Sequence, residues 1–261
     1  MKKMIRMAAA VFTFVGASAG MAFATPSTQI WIPSTDIQAY KSVHLNLDTY
    51  IRASGVVKTT GNTAPRDPNV IMMGPTIGVL PFEKIQAEVG FDYAVAGTEP
   101  GDNYPFMGHF KLGTPEDSLF TFSPALAVGV YNIGASHKPG MMSGQNIVYG
   151  LAARTLPLVG RLSAGGYTGS KIAFAVDDTK VDKAQNTGVL LSWDRTISEI
   201  SDKLWLAVDY MGGNNINGAF SFGVSWAFSK NVTVILGYDI YKEKTLAGNN
   251  TFTTQVDINW P

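Results

Sequence analysis

Hydrophobic and polar residues alternate with a period of two at the end of the chain, from Asn250 to Trp260. One side of an extended chain would carry Phe252, Thr254, Val256, Ile258 and Trp260, and the other side Thr251, Thr253, Gln255, Asp257 and Asn259. This pattern is typical of a β-strand with one apolar and one polar face. Because it recurs along the whole chain, the sequence predicts an all-β protein.

The alternating stretches predict twelve strands. They are expected at Ser42–Ala53, Val70–Leu80, Lys84–Gly97, Pro105–Gly113, Leu119–Tyr131, Gln145–Arg154, Leu158–Thr168, Asn186–Arg195, Lys203–Met211, Gly218–Ser229, Val232–Lys242 and Asn250–Trp260. Most of them run nine to fourteen residues. Ordinary globular strands average about five or six residues, whereas a tilted strand that crosses a membrane needs about nine to eleven. The strand lengths therefore favour a membrane-spanning sheet.

The connections between the predicted strands give a second indication. Counted from the first, the odd-numbered ones are mostly longer: Ser54–Asn69, Thr98–Tyr104, Asn132–Gly144, Gly169–Gln185, Gly212–Asn217 and Glu243–Asn249. The even-numbered ones are mostly tighter: Pro81–Glu83, Thr114–Ser118, Thr155–Pro157, Thr196–Asp202 and Lys230–Asn231. Long outer loops, short periplasmic turns and an even strand number are typical of bacterial membrane barrels. We therefore expect a transmembrane, antiparallel, up-and-down β-barrel with both termini on the periplasmic side.

The same alternation would also suit a soluble β-barrel or sandwich whose apolar face points inward. Aromatic residues near both ends of the apolar faces, such as Trp193 and Trp260 at one end and Tyr93 and Phe252 at the other, fit the two girdles of a membrane barrel. In hydrocarbon every backbone amide needs a partner, and a closed sheet provides one without free edges. These features favour an apolar face that meets lipid.

The N-terminus has the features of an export signal. A basic start, a short apolar run from Ala8 to Val15 and the sequence Ala22-Phe23-Ala24 predict a signal peptide over residues 1–24, cleaved after Ala24. Residues 25–41 would then form either a periplasmic tail or a plug inside the barrel, and residues 42–261 the barrel itself.

Charge and composition exclude several classes of function. Removal of residues 1–24 takes away three basic residues and no acidic one, which leaves 17 basic and 20 acidic residues and a net charge near −3. Without a strongly basic face, nucleic acid is not an expected partner. The chain has no cysteine, so disulfides, thiol catalysis and thiolate metal sites are excluded.

Taken together, the export signal and the strand pattern from Ser42 to Pro261 resemble a Gram-negative outer-membrane β-barrel, porin-like in the broad sense. The final strand resembles the signal read by the barrel-assembly machinery, although Pro261 follows the aromatic Trp260. The resemblance implies location in the outer membrane, contact with its lipid and lipopolysaccharide, and passage of small polar solutes.

If the apolar face meets lipid, charged residues on the other face line the lumen. The candidate lining residues are Asp48, Arg52, Lys84, Glu88, Asp92, Lys111, Arg154, Arg161, Asp194, Asp209, Asp239 and Asp257. Lys84, Lys111, Arg154 and Arg161 would form a basic wall opposite an acidic wall of Asp48, Asp209, Asp239 and Asp257, and such a transverse field would tune ion preference. Alternatively the charges pair for stability, Glu88 with Lys111 and Asp194 with Arg161.

Catalytic chemistry has little support in the sequence. A lipid-acting enzyme at the membrane rim would need a histidine beside a nucleophile, and His44 and His109 are expected to point inward. No cofactor or metal site is predicted. The sequence thus favours a passive channel for small hydrophilic solutes or ions over a closed structural or interaction barrel, and either of these over a rim enzyme.

Overall fold

The computed structural model of the chain describes residues 28–54, 57–59, 62–64, 68–97, 101–175 and 177–261. The predicted signal peptide lies outside these residues. Within them the chain forms a closed antiparallel barrel of twelve strands and one separate two-stranded hairpin. The strands are β1 Val43–Arg52, β2 Val57–Thr59, β3 Asn62–Ala64, β4 Val70–Gly78, β5 Gln86–Val95, β6 Phe106–Thr114, β7 Ala125–Ile133, β8 Ile147–Leu156, β9 Gly160–Thr168, β10 Thr187–Thr196, β11 Leu204–Met211, β12 Ala219–Ala227, β13 Val232–Tyr241 and β14 Thr251–Trp260.

The barrel has a simple up-and-down topology. Each barrel strand pairs with the next one along the chain, and β1 pairs with β14 to close the sheet. At this seam Val43 lies opposite Trp260 and Arg52 lies opposite Thr251, so the two strands are paired over their full length. A closed sheet of this kind leaves no free edge, which satisfies the backbone in a medium without water.

All twelve predicted strands are confirmed, and their ends agree with the prediction within two residues except at one point. The fifth predicted strand was expected from Leu119, but β7 begins at Ala125. The intervening residues form a turn in which Phe122 has a positive φ of 66° and its N–H donates to the Asp117 carboxylate at 2.8 Å. The β2–β3 hairpin, in the first long loop, was not predicted.

The apolar rows of the strands face outward, as predicted for a membrane barrel. On β12, Phe220 and Phe222 are both 43% exposed, whereas Ser221 between them is fully buried. In water, each large apolar side chain left exposed would forgo about 1.5–3 kcal/mol of burial free energy. The soluble alternative required these rows to pack together in the centre, so the observed orientation excludes it.

The two ends of the barrel differ. The short-turn end carries both ends of the sheet, Val43 and Trp260, and exposed aromatic side chains that include Phe82 and Phe228. The long-loop end carries an outer girdle in which Tyr93 packs on Phe106 with ring centroids 5.1 Å apart. Two short helices, α1 Lys171–Phe174 and α2 Lys244–Ala247, and two 3₁₀ segments, Gly101–Asn103 and Asp178–Lys183, lie in the long loops.

No helix among the described residues is long and apolar enough to cross a membrane.

Candidate functional site

Residues 28–38 lie inside the barrel and the exposed residues 39–41 lead from it to β1; we refer to residues 28–41 as the inner segment. The segment starts with a tight turn, in which Thr28 pairs with Pro33 and the N–H of Gln29 donates to the carbonyl of Ile32 at 2.8 Å. Ile30 and Ile32 have exposures of 1% and 0%. The sheet therefore encloses this turn on all sides.

The inner segment runs along the barrel between its two ends. At the long-loop end the indole N–H of Trp31 donates to the carbonyl of Asn217, in the connection between β11 and β12, at 2.9 Å. At the short-turn end Tyr40 pairs with Gly78 of β4, and the N–H of Lys41 donates to the carbonyl of Gly78 at 2.9 Å. The segment thus connects the two ends of the lumen before β1 begins.

Apolar residues on the inner wall pack against the inner segment. Ile30 packs with Trp205, Ala207 and Ile235. Ile32 belongs to a larger cluster of buried side chains, with Ile147, Tyr149, Leu151, Tyr167, Phe174, Leu190 and Met211. The part of the inner wall that the inner segment covers is therefore apolar.

Asp209, a predicted lining residue on β11, binds the backbone of the inner segment. Its Oδ2 accepts hydrogen bonds from the N–H groups of Ile30 at 2.8 Å and Trp31 at 2.9 Å. From β14, Gln255 Nε2 donates to the carbonyl of Ile30 at 2.6 Å. These bonds provide partners for backbone groups that the turn leaves unpaired, which matters because unpaired buried amides are costly.

Arg161 on β9 connects the inner segment to the wall. Its Nη1 lies 2.6 Å from Oδ1 and 2.7 Å from Oδ2 of Asp36, and its Nε donates to Asp194 on β10 at 2.9 Å. The side-chain amide of Gln29 also donates to Asp194, at 2.9 Å. The predicted Arg161–Asp194 pair is thus present, but it is part of a network that includes two residues of the inner segment.

Lys111 on β6 and Glu88 on β5 form a similar network nearer the short-turn end. Their side chains are 3.0 Å apart, which is the second pairing expected from the sequence. Lys111 also donates to the carbonyl of Asp36 at 2.7 Å, and Glu88 accepts the N–H of Gln38 at 2.7 Å. Two of the four residues of the predicted basic wall therefore hold the inner segment in place.

The other two residues of that wall lie outside the lumen. Lys84 is exposed in the turn before β5. Arg154 lies opposite Leu162 on the lipid-facing side of β8 and donates to Asp117 in the short turn at 2.8 Å. The prediction for Arg154 was wrong because the inward positions of β8 are also apolar. The sequence of β8 therefore did not show which face of the strand points to the lumen.

The predicted acidic wall is present on the inner face. Asp48, Asp239 and Asp257 are 6%, 0% and 2% exposed. Asp239 accepts from the Thr251 hydroxyl at 2.7 Å, and Asp257 lies 3.4 Å from His44 Nε2. These carboxylates lie on strands that become neighbours when the barrel closes between β1 and β14.

Both strand histidines also lie on the inner face, as expected. His109 Nδ1 is 3.1 Å from Asp92, and its Nε2 is 2.9 Å from the Thr76 hydroxyl. His44 Nδ1 is 3.1 Å from the side-chain oxygen of Asn259. Among the described residues, no group of three or more His, Asp or Glu side chains is arranged to hold a metal ion.

A cavity of about 520 Å³ remains between the inner segment and the wall formed by β1 and β4–β8. At the long-loop end its lining includes Arg52, whose guanidinium donates to the carbonyl oxygens of Ala247 at 2.8 Å and Asn249 at 2.6 Å. Towards the short-turn end its lining includes Glu88 and Lys111. This cavity can hold a small solute.

Sequence reasoning did not identify the residues of the inner segment that reach the wall. Gln29, Asp36 and Gln38 were not singled out, nor was Tyr50, which faces the cavity from β1. One signal was present in the sequence: β8 is apolar on both faces, which a lumen filled with water would not require. A strand of that kind indicates that something packs against its inner side.

The closed sheet, its lipid-compatible outer surface and its polar interior define the class of protein. The chain is a closed antiparallel β-barrel with the architecture of a membrane-spanning barrel.

No protein-family model matches the chain, and no curated protein matches it. Its structure is similar to that of an outer membrane channel from Pseudomonas putida F1, with 11% identity, a TM-score of 0.48, and coverage of 85% of this chain and 96% of the other. It is also similar to the KdgM porin, with 8% identity, a TM-score of 0.47, and coverage of 84% and 98%. Acinetobacter baumannii Omp33 gives 10% identity, a TM-score of 0.41, and coverage of 85% and 98%.

Proposed function

We propose that the protein is an outer-membrane channel for passive diffusion of small hydrophilic solutes or ions, narrowed by its inner segment. The observation that supports this function is the cavity of about 520 Å³ inside a barrel whose outer surface is apolar. Small-molecule sites in proteins commonly have volumes of about 300–1,000 Å³. The cavity is thus large enough for a small solute and too small for a polymer.

Barrel size agrees with a narrow channel. About eight strands give an interior filled by side chains, whereas sixteen to eighteen leave a wide aqueous channel. A twelve-stranded barrel lies between these cases. Here the inner segment fills the part of the lumen along β8–β14, and the cavity remains along β1 and β4–β8.

The positions of the histidines support a channel rather than a lipid-acting enzyme. His44 and His109 both line the cavity, where a phospholipid in the surrounding bilayer does not reach them. A rim enzyme would need its histidine and nucleophile at the lipid-facing surface. We therefore propose a protein without catalytic activity.

The proposal also includes the lipid that surrounds the barrel and the steps by which the protein is exported and assembled. Outer-membrane lipid and lipopolysaccharide would surround the apolar belt, and the barrel-assembly machinery would read the last strand with its terminal aromatic Trp260. Residues 1–24 would be removed on export. Mass spectrometry of the purified protein tests that last point, because the proposal requires an N-terminus at Thr25.

Liposome swelling tests the proposed function. Vesicles containing the refolded protein should swell in small neutral solutes such as glycerol or arabinose and should not swell in a large oligosaccharide. A barrel whose lumen is closed, serving only as a structural or interaction element, would give no swelling above that of empty vesicles in any solute.

A further inference from the structure

We propose that the cavity contains a binding site for small organic ammonium ions, centred on Asp48. This inference rests on the proposed function in one respect only, since the solute must be able to enter the lumen. It specifies the class of solute from the charge and the aromatic side chains that surround the cavity.

The charge of the cavity wall is unbalanced. Among the described residues that line it are five carboxylates, whereas Arg52 and Lys111 are the lysine and arginine side chains present. Lys111 is 3.0 Å from Glu88, and Arg52 is bound to backbone carbonyl oxygens at the long-loop end. The cavity wall thus carries more carboxylates than lysine and arginine side chains, and such a lining favours cations over anions.

Among the lining carboxylates on the described strands, Asp48 is the one without a basic side chain nearby. It lines the cavity from the middle of β1 and is only 6% exposed. Its polar contact within the described part of the chain is the neutral side-chain amide of Asn46, at 3.2 Å, and no ion pair involves it there. The other lining carboxylates on the strands have a basic side chain nearby: Glu88 has Lys111, Asp92 has His109, and Asp257 has His44.

Burying a carboxylate whose partner is only a neutral amide costs free energy, because buried charges are normally paired. Asp92 and Asp257 line the same cavity, so that further carboxylates share this space with Asp48. An ammonium group that enters the cavity would complete the set of partners. It would donate charge-assisted hydrogen bonds to the Asp48 carboxylate.

Aromatic and thioether groups next to Asp48 favour an organic cation over an inorganic one. Tyr50 is the next inward residue on β1, and the ring of Trp31 lies 5.4 Å from it, edge to face. Met72 lies directly opposite Asp48 on β4. Trp31, Tyr50 and Met72 all line the cavity, so the apolar part of a ligand would contact soft, polarisable groups while its ammonium group reaches Asp48.

The barrel already shows this kind of contact at the cavity mouth. The guanidinium of Arg52 lies over the ring of Tyr241, 5.6 Å from its centroid, and Tyr241 is in edge contact with Trp31 at 5.5 Å. The protein's own cation therefore occupies Tyr241, whereas Tyr50 and its neighbour Trp31 line the cavity next to Asp48 on β1.

Calorimetric titration of the refolded barrel in detergent tests the proposal, with benzylammonium chloride as the probe and benzyl alcohol and benzoate as matched neutral and anionic compounds. We expect saturable binding of benzylammonium and none of the other two. Asp48→Asn keeps the size of the side chain and should weaken binding about tenfold or more, the usual effect of losing a charge-assisted hydrogen bond. Tyr50→Leu should weaken it severalfold.

Asp239→Asn is the matched control, because Asp239 is also a buried inward carboxylate but does not line the cavity. It should leave binding unchanged. Equal binding of benzylammonium and benzyl alcohol, no effect of Asp48→Asn, or an equal loss with Asp239→Asn would each overturn the site. Retention of the folded barrel is checked for every variant by its heat-modifiable migration on a gel.

The titration does not depend on conductance, so the two proposals fail separately. Binding without conductance would remove the channel and leave the site, whereas conductance without selective binding would remove the site and leave the channel.

Discussion

The guanidinium of Arg161 binds the carboxylate of Asp36, which precedes it by 125 residues, with Nη1 2.6 Å from Oδ1. This contact joins the wall of the barrel to the segment inside it. It places a residue from outside the predicted barrel against the inner wall of β9, towards the short-turn end. Ion selectivity and conductance must therefore be considered for the barrel and the inner segment together.

Asp36→Ala should loosen the inner segment and increase conductance. The substitution removes a charge-assisted contact that typically contributes about 1.5–3 kcal/mol, while Arg161 keeps its bond to Asp194 and remains paired. Single-channel recording of the refolded variant should show larger or noisier steps than the parent protein. Asp177→Ala removes an exposed loop carboxylate and serves as the control. Identical traces for Asp36→Ala and the parent would show that this contact does not restrain the segment.

Ile32→Ala should weaken the packing of the inner segment against the barrel wall. Truncation of a fully buried Ile typically costs about 2–5 kcal/mol. Because the chain has no cysteine, an added Ile30→Cys can be labelled specifically with a water-soluble maleimide. Labelling of Ile30→Cys should be slow in the parent protein and at least severalfold faster when Ile32→Ala is also present. Rapid labelling of both proteins would contradict the burial of Ile30 inside the barrel.

Leu236→Arg should destabilise the barrel in a bilayer. Leu236 is 56% exposed in the middle of β13, on the face that meets lipid, and an Arg near the bilayer midplane costs about 2–4 kcal/mol. The free energy of unfolding in urea, measured with the protein in lipid vesicles, should fall by that amount. Ile200→Arg, in an exposed short turn, should change it by less than about 0.5 kcal/mol. An equal effect at both positions would mean that Leu236 does not face the bilayer.

Ion preference should depend on Asp48 and not on Arg154. The cavity wall has an excess of carboxylates, so a potassium chloride gradient should give a reversal potential on the cation-selective side. Asp48→Asn should reduce that potential. Arg154→Ala should leave it unchanged, because Arg154 lies on the outer face at the short-turn end. A large shift with Arg154→Ala would indicate that its side chain enters the lumen.

The fold could be predicted from the sequence because each strand repeats the same simple rule. Strands such as β12 and β14 have one apolar and one polar face, and the lipid selects the apolar face for the outside. The end of a strand is harder to predict where local polar contacts stop it. The Asp117–Phe122 contact is one such case, and it delays β7 by six residues.

The lumen was less predictable, for a physical reason. Its side chains pair with the inner segment, which has no period and no secondary structure to reveal it. Glu88–Lys111 and Arg161–Asp194 could be expected from position on neighbouring strands, but Asp36 and Gln38 could not be placed between them. Arg154 shows the same limit, since the inner face of β8 is apolar where Ile32 packs against it, and the sequence did not show that contact.

The most direct measurement compares single-channel conductance of the refolded protein with and without residues 28–41. We expect small steps above the leak level for the parent protein and clearly larger steps for the variant, provided that both show heat-modifiable migration on a gel. Equal steps in the two proteins would contradict an inner segment that narrows the lumen. No steps in either would contradict the channel itself.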